Sequence, residues 1–336
     1  MKKIKIAQIG TSENSHGNAV WSCLLKQGDL FEVVGYSFPE NEQEKFPKQA
    51  EIFKGYREMT VDEILNDPAI EAVAVETEEI YLTKYALMVA QAGKHLHMEK
   101  PGGIGFLDFK KLVDSLRTQK LVFSIGYMYR FNPKIKEAID KVKNGELGKI
   151  YSVEAHMNCK HTPDVRQWLE NFPGGMMFFL GCHLIDLIYQ IQGEPMEIIP
   201  LNCSTGIDSI YTEDYGMVVF KYPNGVSFAK TSDNECGGFL RRQLVICGEK
   251  GTIEVKPLEI STQGGQYTVS NECYDNTGSN WSKPWSTSQS DVYDRYDGMM
   301  RNFAELVRGK ENPYSYEYEL GLYELILKSC GKDVAK

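Results

Sequence analysis

Hydrophobic positions along the first 126 residues follow two periods. Short apolar runs at Ile4–Ile9, Phe31–Tyr36, Ile70–Val75, Leu96–Met98 and Leu121–Gly126 have the length of strands buried on both faces. Helical spacing fills the gaps between them, near Ala19–Val20–Trp21 and over Val61–Leu65, Ile80–Ala92 and Phe106–Gln119. Strands and helices alternating in this way predict an α/β domain with a parallel sheet covered on both faces. Gly93 stands where a helix ends in a left-handed residue. The run that follows ends on Glu99-Lys100-Pro101. Pro101 has a fixed φ and biases Lys100 toward an extended backbone. Lys100 is thereby expected at the carboxyl end of a strand, where open α/β sheets bind ligands.

Beyond Gly126 the pattern changes. Tyr127-Met128-Tyr129-Arg130-Phe131-Asn132-Pro133 is an aromatic and cationic connector, and Ile135–Lys143 is helical up to Asn144-Gly145. Longer alternating segments then run over Ile150–His156, Gly216–Lys221, Val226–Thr231, Gln243–Cys247 and Thr252–Val255. Tyr222-Pro223-Asn224-Gly225 marks a hairpin between two of them. This predicts a second domain with an open, largely antiparallel sheet whose free face suits a homo-oligomeric partner. The boundary falls between residues 126 and 127, with residues 127–336 in the second domain and the last helix free to pack back on the first. Most of Phe172–Asp186 reads as a buried helix, on which His183 and Asp186 share a face. The tail from Tyr296 to Gly331 is mostly helical, and Trp281, Trp285, Tyr293 and Tyr296 precede or open it.

Composition narrows the function classes. With 336 residues and a formal net charge of −9, the chain has no basic footprint for nucleic acid or anionic membrane. No apolar run approaches a membrane span, and the N-terminus lacks the apolar core of a signal peptide. Eight cysteines without a Cys-x-x-Cys pair fit reduced thiols in a cytoplasm. His95 and His97 share a strand face, but no third ligand is recognisable, so no metal is expected.

The loop after the first strand reads Gly10-Thr11-Ser12-Glu13-Asn14-Ser15-His16-Gly17. A dinucleotide fingerprint would be Gly-x-Gly-x-x-Gly; here Ser12 takes the second glycine's place and the last glycine comes two residues late. Ser12, Asn14 and Ser15 are candidate donors to phosphate. Ser37 follows the second strand with Glu40 beyond, and no arginine lies nearby to hold a 2′-phosphate. That favours NAD over NADP.

The ordered set of these pieces resembles the family of glucose–fructose oxidoreductase, inositol dehydrogenase and the rhizopine-catabolism protein (Gfo/Idh/MocA). It comprises the Gly10 loop, Ala92-Gly93-Lys94-His95 leading to Glu99-Lys100-Pro101, Gly126-Tyr127, Arg130-Phe131-Asn132-Pro133 and Gly145-Glu146-Leu147-Gly148-Lys149-Ile150. Gly174-Gly175, Gly181-Cys182-His183-Leu184-Ile185-Asp186, Gly248-Glu249-Lys250-Gly251-Thr252 and Asn302-Phe303 complete it. The resemblance implies a Rossmann-type domain followed by an α/β domain with an open sheet. It further implies hydride transfer between NAD(P) and a sugar, cyclitol or related polyol. Lys100 matches the family's active-site lysine and His183 its acid/base histidine. Gly10, Thr11, Ser12, Asn14, Ser37, Thr77, Glu99, Lys100 and Pro101 are the expected cofactor contacts. Tyr127, Arg130, Arg166, Trp168 and Asp186 are expected to orient substrate.

The residue types suit that chemistry. An imidazole titrating near about pH 6.5 can carry a hydroxyl proton at neutral pH, and an ammonium can stabilise charge developing on oxygen. Four departures from the family pattern stand out: Ser12, Ser37, Glu78 after Thr77, and Phe179 four residues before His183, where many members carry a catalytic aspartate. They keep open two alternatives: a non-enzymatic nucleotide- or sugar-binding regulator, and non-hydride chemistry with a retained cofactor.

Overall fold

The computed structural model describes residues 2–274 and 285–334; Trp281 lies outside the described residues. The chain divides into two compact units. The first comprises residues up to 127 together with 296–323, and the second comprises 128–295 and the residues after 323.

The first unit is built on five parallel strands, β1 (Ile4–Ile9), β2 (Phe31–Ser37), β3 (Ala72–Val75), β4 (His95–Met98) and β5 (Phe123–Ile125), in the order β2-β1-β3-β4-β5. β3 and β4 are almost wholly buried, which explains their unbroken apolar runs. Helices Gly17–Lys26, Leu82–Gln91 and Phe106–Gln119 connect the strands, the last over the predicted range. The second of these stops at Ala92, with Gly93 at φ +73°. On one flank Trp21 packs against Phe53 and Tyr36, with ring centroids 4.6 and 5.9 Å away. The helix predicted at Asn302–Val307 begins earlier, at Asp297, where Lys26 Nζ donates to its carboxylate (2.6 Å) and Gln27 Nε2 to its carbonyl (2.9 Å).

Strand order reverses at β1, so the loops after β1 and β3 diverge and leave a crevice at the carboxyl edge. Two backbones meet there. Gly10 has φ +89°, and a Cβ on it would stand 2.4 Å from Thr77 Cγ2 and 2.7 Å from the Thr77 backbone. Only glycine tolerates both the conformation and the approach.

In the second unit eight strands form one sheet. Strands β6 (Ile150–Asn158), β7 (Glu197–Pro200), β8 (Tyr215–Tyr222), β9 (Gly225–Ser232), β10 (Gln243–Gly248) and β11 (Gly251–Val255) run β11-β10-β6-β9-β8-β7 across it. Val269–Tyr274 and Ser286–Gln289 extend the β11 edge. The predicted antiparallel pairing holds with one exception: β6 and β9 are parallel, from Glu154 opposite Phe228 to Asn158 opposite Ser232. Burial alternates along β6, leaving Tyr151 about half exposed on the outer face. Helix Cys182–Gln192 packs on the inner face.

The buried helix expected over most of Phe172–Asp186 forms from Met176 onward, with a wider first turn. Gly174 and Gly175 both have positive φ, and a Cβ on Gly175 would lie 2.3 Å from the Glu213 carbonyl oxygen. The chain then makes one π-type turn, Met177–Gly181, before helix Cys182–Gln192 begins. No helix among the described residues is long and apolar enough to cross a membrane.

Gly10→Ala is expected to lower unfolding free energy by at least about 1–3 kcal/mol from backbone strain alone. Denaturant titration would show the loss, and an unchanged midpoint would mean that the β1 and β3 loops can separate at no cost.

Candidate active site

The loop after β1 is closed largely by its own groups. Gln8 Nε2 donates to the Gly10 and Gly17 carbonyls at 3.0 and 3.1 Å, fixing both ends. Ser12 N donates to Ser15 Oγ and Ser15 N to Ser12 Oγ, each at 3.0 Å. The two serines expected to face phosphate therefore bond to each other, because short hydroxyl side chains in a turn find neighbouring backbone N–H groups first. Thr11 Oγ1 donates to Asn18 Oδ1 (3.0 Å), and Asn14 is partly exposed. Gly10 N donates to the carbonyl of Ser37, which is itself buried.

Two carboxylates meet the N–H groups of this loop. Glu42 Oε2 accepts from Thr11 N at 3.2 Å. Glu99 Oε2 accepts from His16 N at 2.8 Å and lies 2.7 Å from His16 Nδ1, at the start of helix Gly17–Lys26. The other Glu99 oxygen accepts from Lys100 N at 2.7 Å. Neither Glu42 nor His16 was assigned a role from sequence. Glu42 lies 31 residues from Thr11 and has no motif; the clue to His16 is its place just before Gly17 at a helix start.

Burial opposes charge on Glu99. The His16 ring and N–H and the Lys100 ammonium more than offset it and hold the carboxyl down at about 2. Three neighbours go the other way. Burial pushes Glu42 up to about 9 and Glu79 up to about 7, and it raises Glu76 well above the carboxylate range, with Glu99 and Glu79 adding repulsion. Burial also takes His97 down to about 4; its Nε2 stands 3.6 Å from Glu76 Oε1. Glu78, the departure after Thr77, turns to Lys45 Nζ at 3.2 Å. The charge that these acids would place at the sheet edge is thus mostly protonated or paired, while buried Lys100, followed by Pro101, keeps its field on Glu76, Glu79 and Glu99.

In the second unit His183 is buried in the first turn of helix Cys182–Gln192, edge-on to the Tyr129 ring at 5.3 Å. Tyr129 OH donates to Glu259 (3.0 Å) and accepts from Arg242 (3.3 Å), so that ring is held from behind. Arg130 and Asp186 pair with each other. Arg130 Nε lies 3.1 Å from both carboxylate oxygens and Nη2 2.8 Å from Oδ1, while Gln190 donates to Oδ2 at 3.0 Å. The two residues expected to orient substrate are thus bonded to one another, as a guanidinium and a carboxylate buried together satisfy each other first. Arg166 is likewise buried against Asp208 and the Ile207 carbonyl, with Asp214 at 3.8 Å. Trp168 packs edge-on against Phe172 (4.6 Å) and Phe179 (5.1 Å), and Phe179 also faces the His161 ring at 6.2 Å. Tyr127, also buried, ends the first segment of the first unit. Cys159, His161 and Asp233 converge nearby, a grouping that sequence spacing did not reveal.

Two family profiles cover most of the chain. Residues 4–127 match the oxidoreductase family with an NAD-binding Rossmann fold, and residues 135–254 match the GFO/IDH/MocA C-terminal domain. The chain belongs to the Gfo/Idh/MocA family. A bovine (Bos taurus) relative, trans-1,2-dihydrobenzene-1,2-diol dehydrogenase, is 25% identical over 231 residues, spanning 66% of each chain. Among solved structures, levoglucosan dehydrogenase in complex with NADH and levoglucosan superposes with a TM-score of 0.79 at 17% identity, over 98% of both chains. KijD10, a 3-ketoreductase of Actinomadura kijaniata in complex with NADP, gives 0.77 at 16% identity, over 97% of this chain and 96% of that one. These two establish the shared fold.

Within this Gfo/Idh/MocA chain Glu42 gives a pH signature. Folded, it keeps its proton to about pH 9; an ordinary glutamate loses it at 4.5. The native state therefore binds the extra proton between these values. The stability it contributes is complete below the lower value and is lost as pH rises through the upper one, at up to about 1.4 kcal/mol per pH unit. Glu42→Gln is expected to flatten this slope in urea denaturation at about pH 5, 7 and 9. An unchanged slope would place the proton elsewhere.

Proposed function

We propose that this protein is an NAD-dependent oxidoreductase acting on a carbinol carbon of a sugar, cyclitol or related polyol. The observation that carries the reading is Lys100, buried just past β4 and tied through Glu99 to the start of helix Gly17–Lys26. The Gly10–Thr77 approach fits a dinucleotide at the point where strand order reverses. A helix start beside it suits a pyrophosphate, for which Thr11, Asn14 and the Gly10 backbone are the candidate contacts. Ser37 and Thr77 flank that crevice, and Pro101 ends the Glu99-Lys100 segment. When bound, the nicotinamide supplies the hydride acceptor or donor.

The protein's own groups do the rest. Lys100 holds the reacting oxygen and stabilises its negative charge. His183, with its ring set by Tyr129, takes or returns the hydroxyl proton. The Arg130–Asp186 pair positions the 3₁₀ turn Met128–Phe131 against helix Cys182–Gln192, so these two act through others. Trp168 and Tyr127 are the remaining candidates for contact with a polyol, with Arg166 behind. NAD is favoured because Glu40 follows β2, and Lys84 and Lys45 are paired with Glu40 and Glu78. A 2′-phosphate would have to compete with those carboxylates for the two lysines. The names of the relatives support the substrate class: a dihydrodiol dehydrogenase and a levoglucosan dehydrogenase both act on hydroxylated rings.

Nicotinamide fluorescence is expected to show NADH binding more tightly than NADPH. A panel of sugars and cyclitols followed by NADH absorbance is expected to give turnover on at least one member. Binding of NADH with no turnover across the panel would favour a regulator, and failure of both dinucleotides to bind would remove the oxidoreductase reading. Lys100→Ala is expected to lower kcat by about 10²–10³-fold with NADH affinity nearly unchanged. Full activity in that variant would remove Lys100 from the chemistry.

A further inference from the structure

We infer that Cys159, His161 and Asp233 form a binding site for one zinc-type divalent cation, at the carboxyl end of the parallel strand pair β6–β9 in the second unit. Cys159 directly follows β6 and Asp233 directly follows β9. Because β6 and β9 run parallel, their ends lie side by side, an outcome that the antiparallel pairs of this sheet do not give. The ladder continues past both strands. Cys159 N donates to the Ser232 carbonyl at 2.9 Å and His161 N to the Asp233 carbonyl at 3.1 Å. Residues 159 and 161, two apart on an extended chain, therefore face the same side.

The donor atoms already sit near the edges of a coordination tetrahedron. Cys159 Sγ lies 3.5 Å from His161 Nδ1 and 3.5 Å from Asp233 Oδ1. Zinc bonds of about 2.3 Å to sulfur and about 2.0 Å to nitrogen and oxygen require sulfur edges of about 3.5 Å and a nitrogen–oxygen edge of about 3.3 Å. The third edge, His161 Nδ1 to Asp233 Oδ1, is 2.5 Å. A bound cation would open it by under about 1 Å. The His161 side chain, 26% exposed, has room for this, whereas Cys159 and Asp233 are fully buried.

A second observation points to a ligand. Asp233 Oδ2 is buried with no hydrogen-bonding partner among the described residues. A buried carboxylate oxygen in that state is costly, and a cation held on Oδ1 of the same carboxylate offsets that cost by neutralising the group's charge. Burial and the Asp233 carboxylate push the Cys159 thiol up, and Arg242, whose Nε donates to the Asn158 carbonyl, offsets this only in part, so the thiol keeps its proton until a cation displaces it. Binding releases that thiol proton to solvent. The thiolate and carboxylate then balance the dication. One sulfur, one nitrogen and one oxygen select a borderline-soft ion over calcium or magnesium, which take oxygen ligands. Three protein ligands leave a fourth position on the side where His161 is exposed, the open arrangement of reactive zinc sites. The inference does not rest on the hydride chemistry proposed above.

Cobalt(II) is the probe. The full chain, stripped with chelator and titrated, is expected to develop thiolate-to-cobalt charge-transfer absorption and intense tetrahedral visible bands, saturating at one equivalent and bleached by zinc. Cys159→Ser is expected to abolish the charge-transfer feature, while Cys203→Ser, at an exposed cysteine, leaves it intact. His161→Gln, at the partly exposed ligand, is expected to keep the fold and weaken cobalt binding by at least about tenfold. The site is refuted by a weak octahedral spectrum without charge transfer, by an unchanged spectrum in Cys159→Ser, or by unchanged affinity in His161→Gln.

Discussion

The bond network of one buried carboxylate organises the first unit. Glu99 closes β4, accepts from the backbone and ring of His16 at the start of helix Gly17–Lys26, and accepts from the backbone of Lys100. Burying a charge is expensive unless it is paired and hydrogen-bonded, and here both conditions are met by groups from two distant segments. Lys100 is placed by that arrangement. Its backbone N–H is held by a carboxylate that cannot move without freeing a helix end. Gly126 belongs to the same construction, since a Cβ there would stand 3.2 Å from Glu99 Oε1.

Around this fixed charge the protein handles acidity in two ways. Glu42, Glu76 and Glu79 are buried without enough compensating cations, and burial raises their affinity for protons. A chain with formal charge −9 can therefore present a nearly neutral sheet edge to a phosphate-bearing ligand. In the second unit the balance is struck by pairing. Arg130 and Asp186 are buried as an ion pair whose charges cancel inside the unit, while buried Arg166 reaches the exposed Asp208. Residues that look like substrate ligands in a linear sequence become parts of the wall that carries His183.

Phe179 stands where the family resemblance implies an aspartate. The π-type turn Met177–Gly181 sets its ring between Trp168 and His161. The same region holds Cys159, His161 and Asp233, so polar chemistry absent at 179 reappears on the adjoining strand ends.

What the sequence determined by itself is local. Apolar period, glycine at φ +73° after a helix, and proline after Lys100 are properties of a few adjacent residues, so the five parallel strands, Gly93 and Lys100 were legible in order. The family resemblance extended this to His183, a lone histidine on an apolar helix. Tertiary structure decided everything that depends on partners far apart in the chain. Glu42 meets Thr11 across 31 positions, Arg130 meets Asp186 across 56, and Cys159 meets Asp233 across 74. No periodicity encodes such pairs. They exist because sheet order brings particular strand ends side by side, and because a charge removed from water must find its counterpart or its proton wherever the fold supplies one.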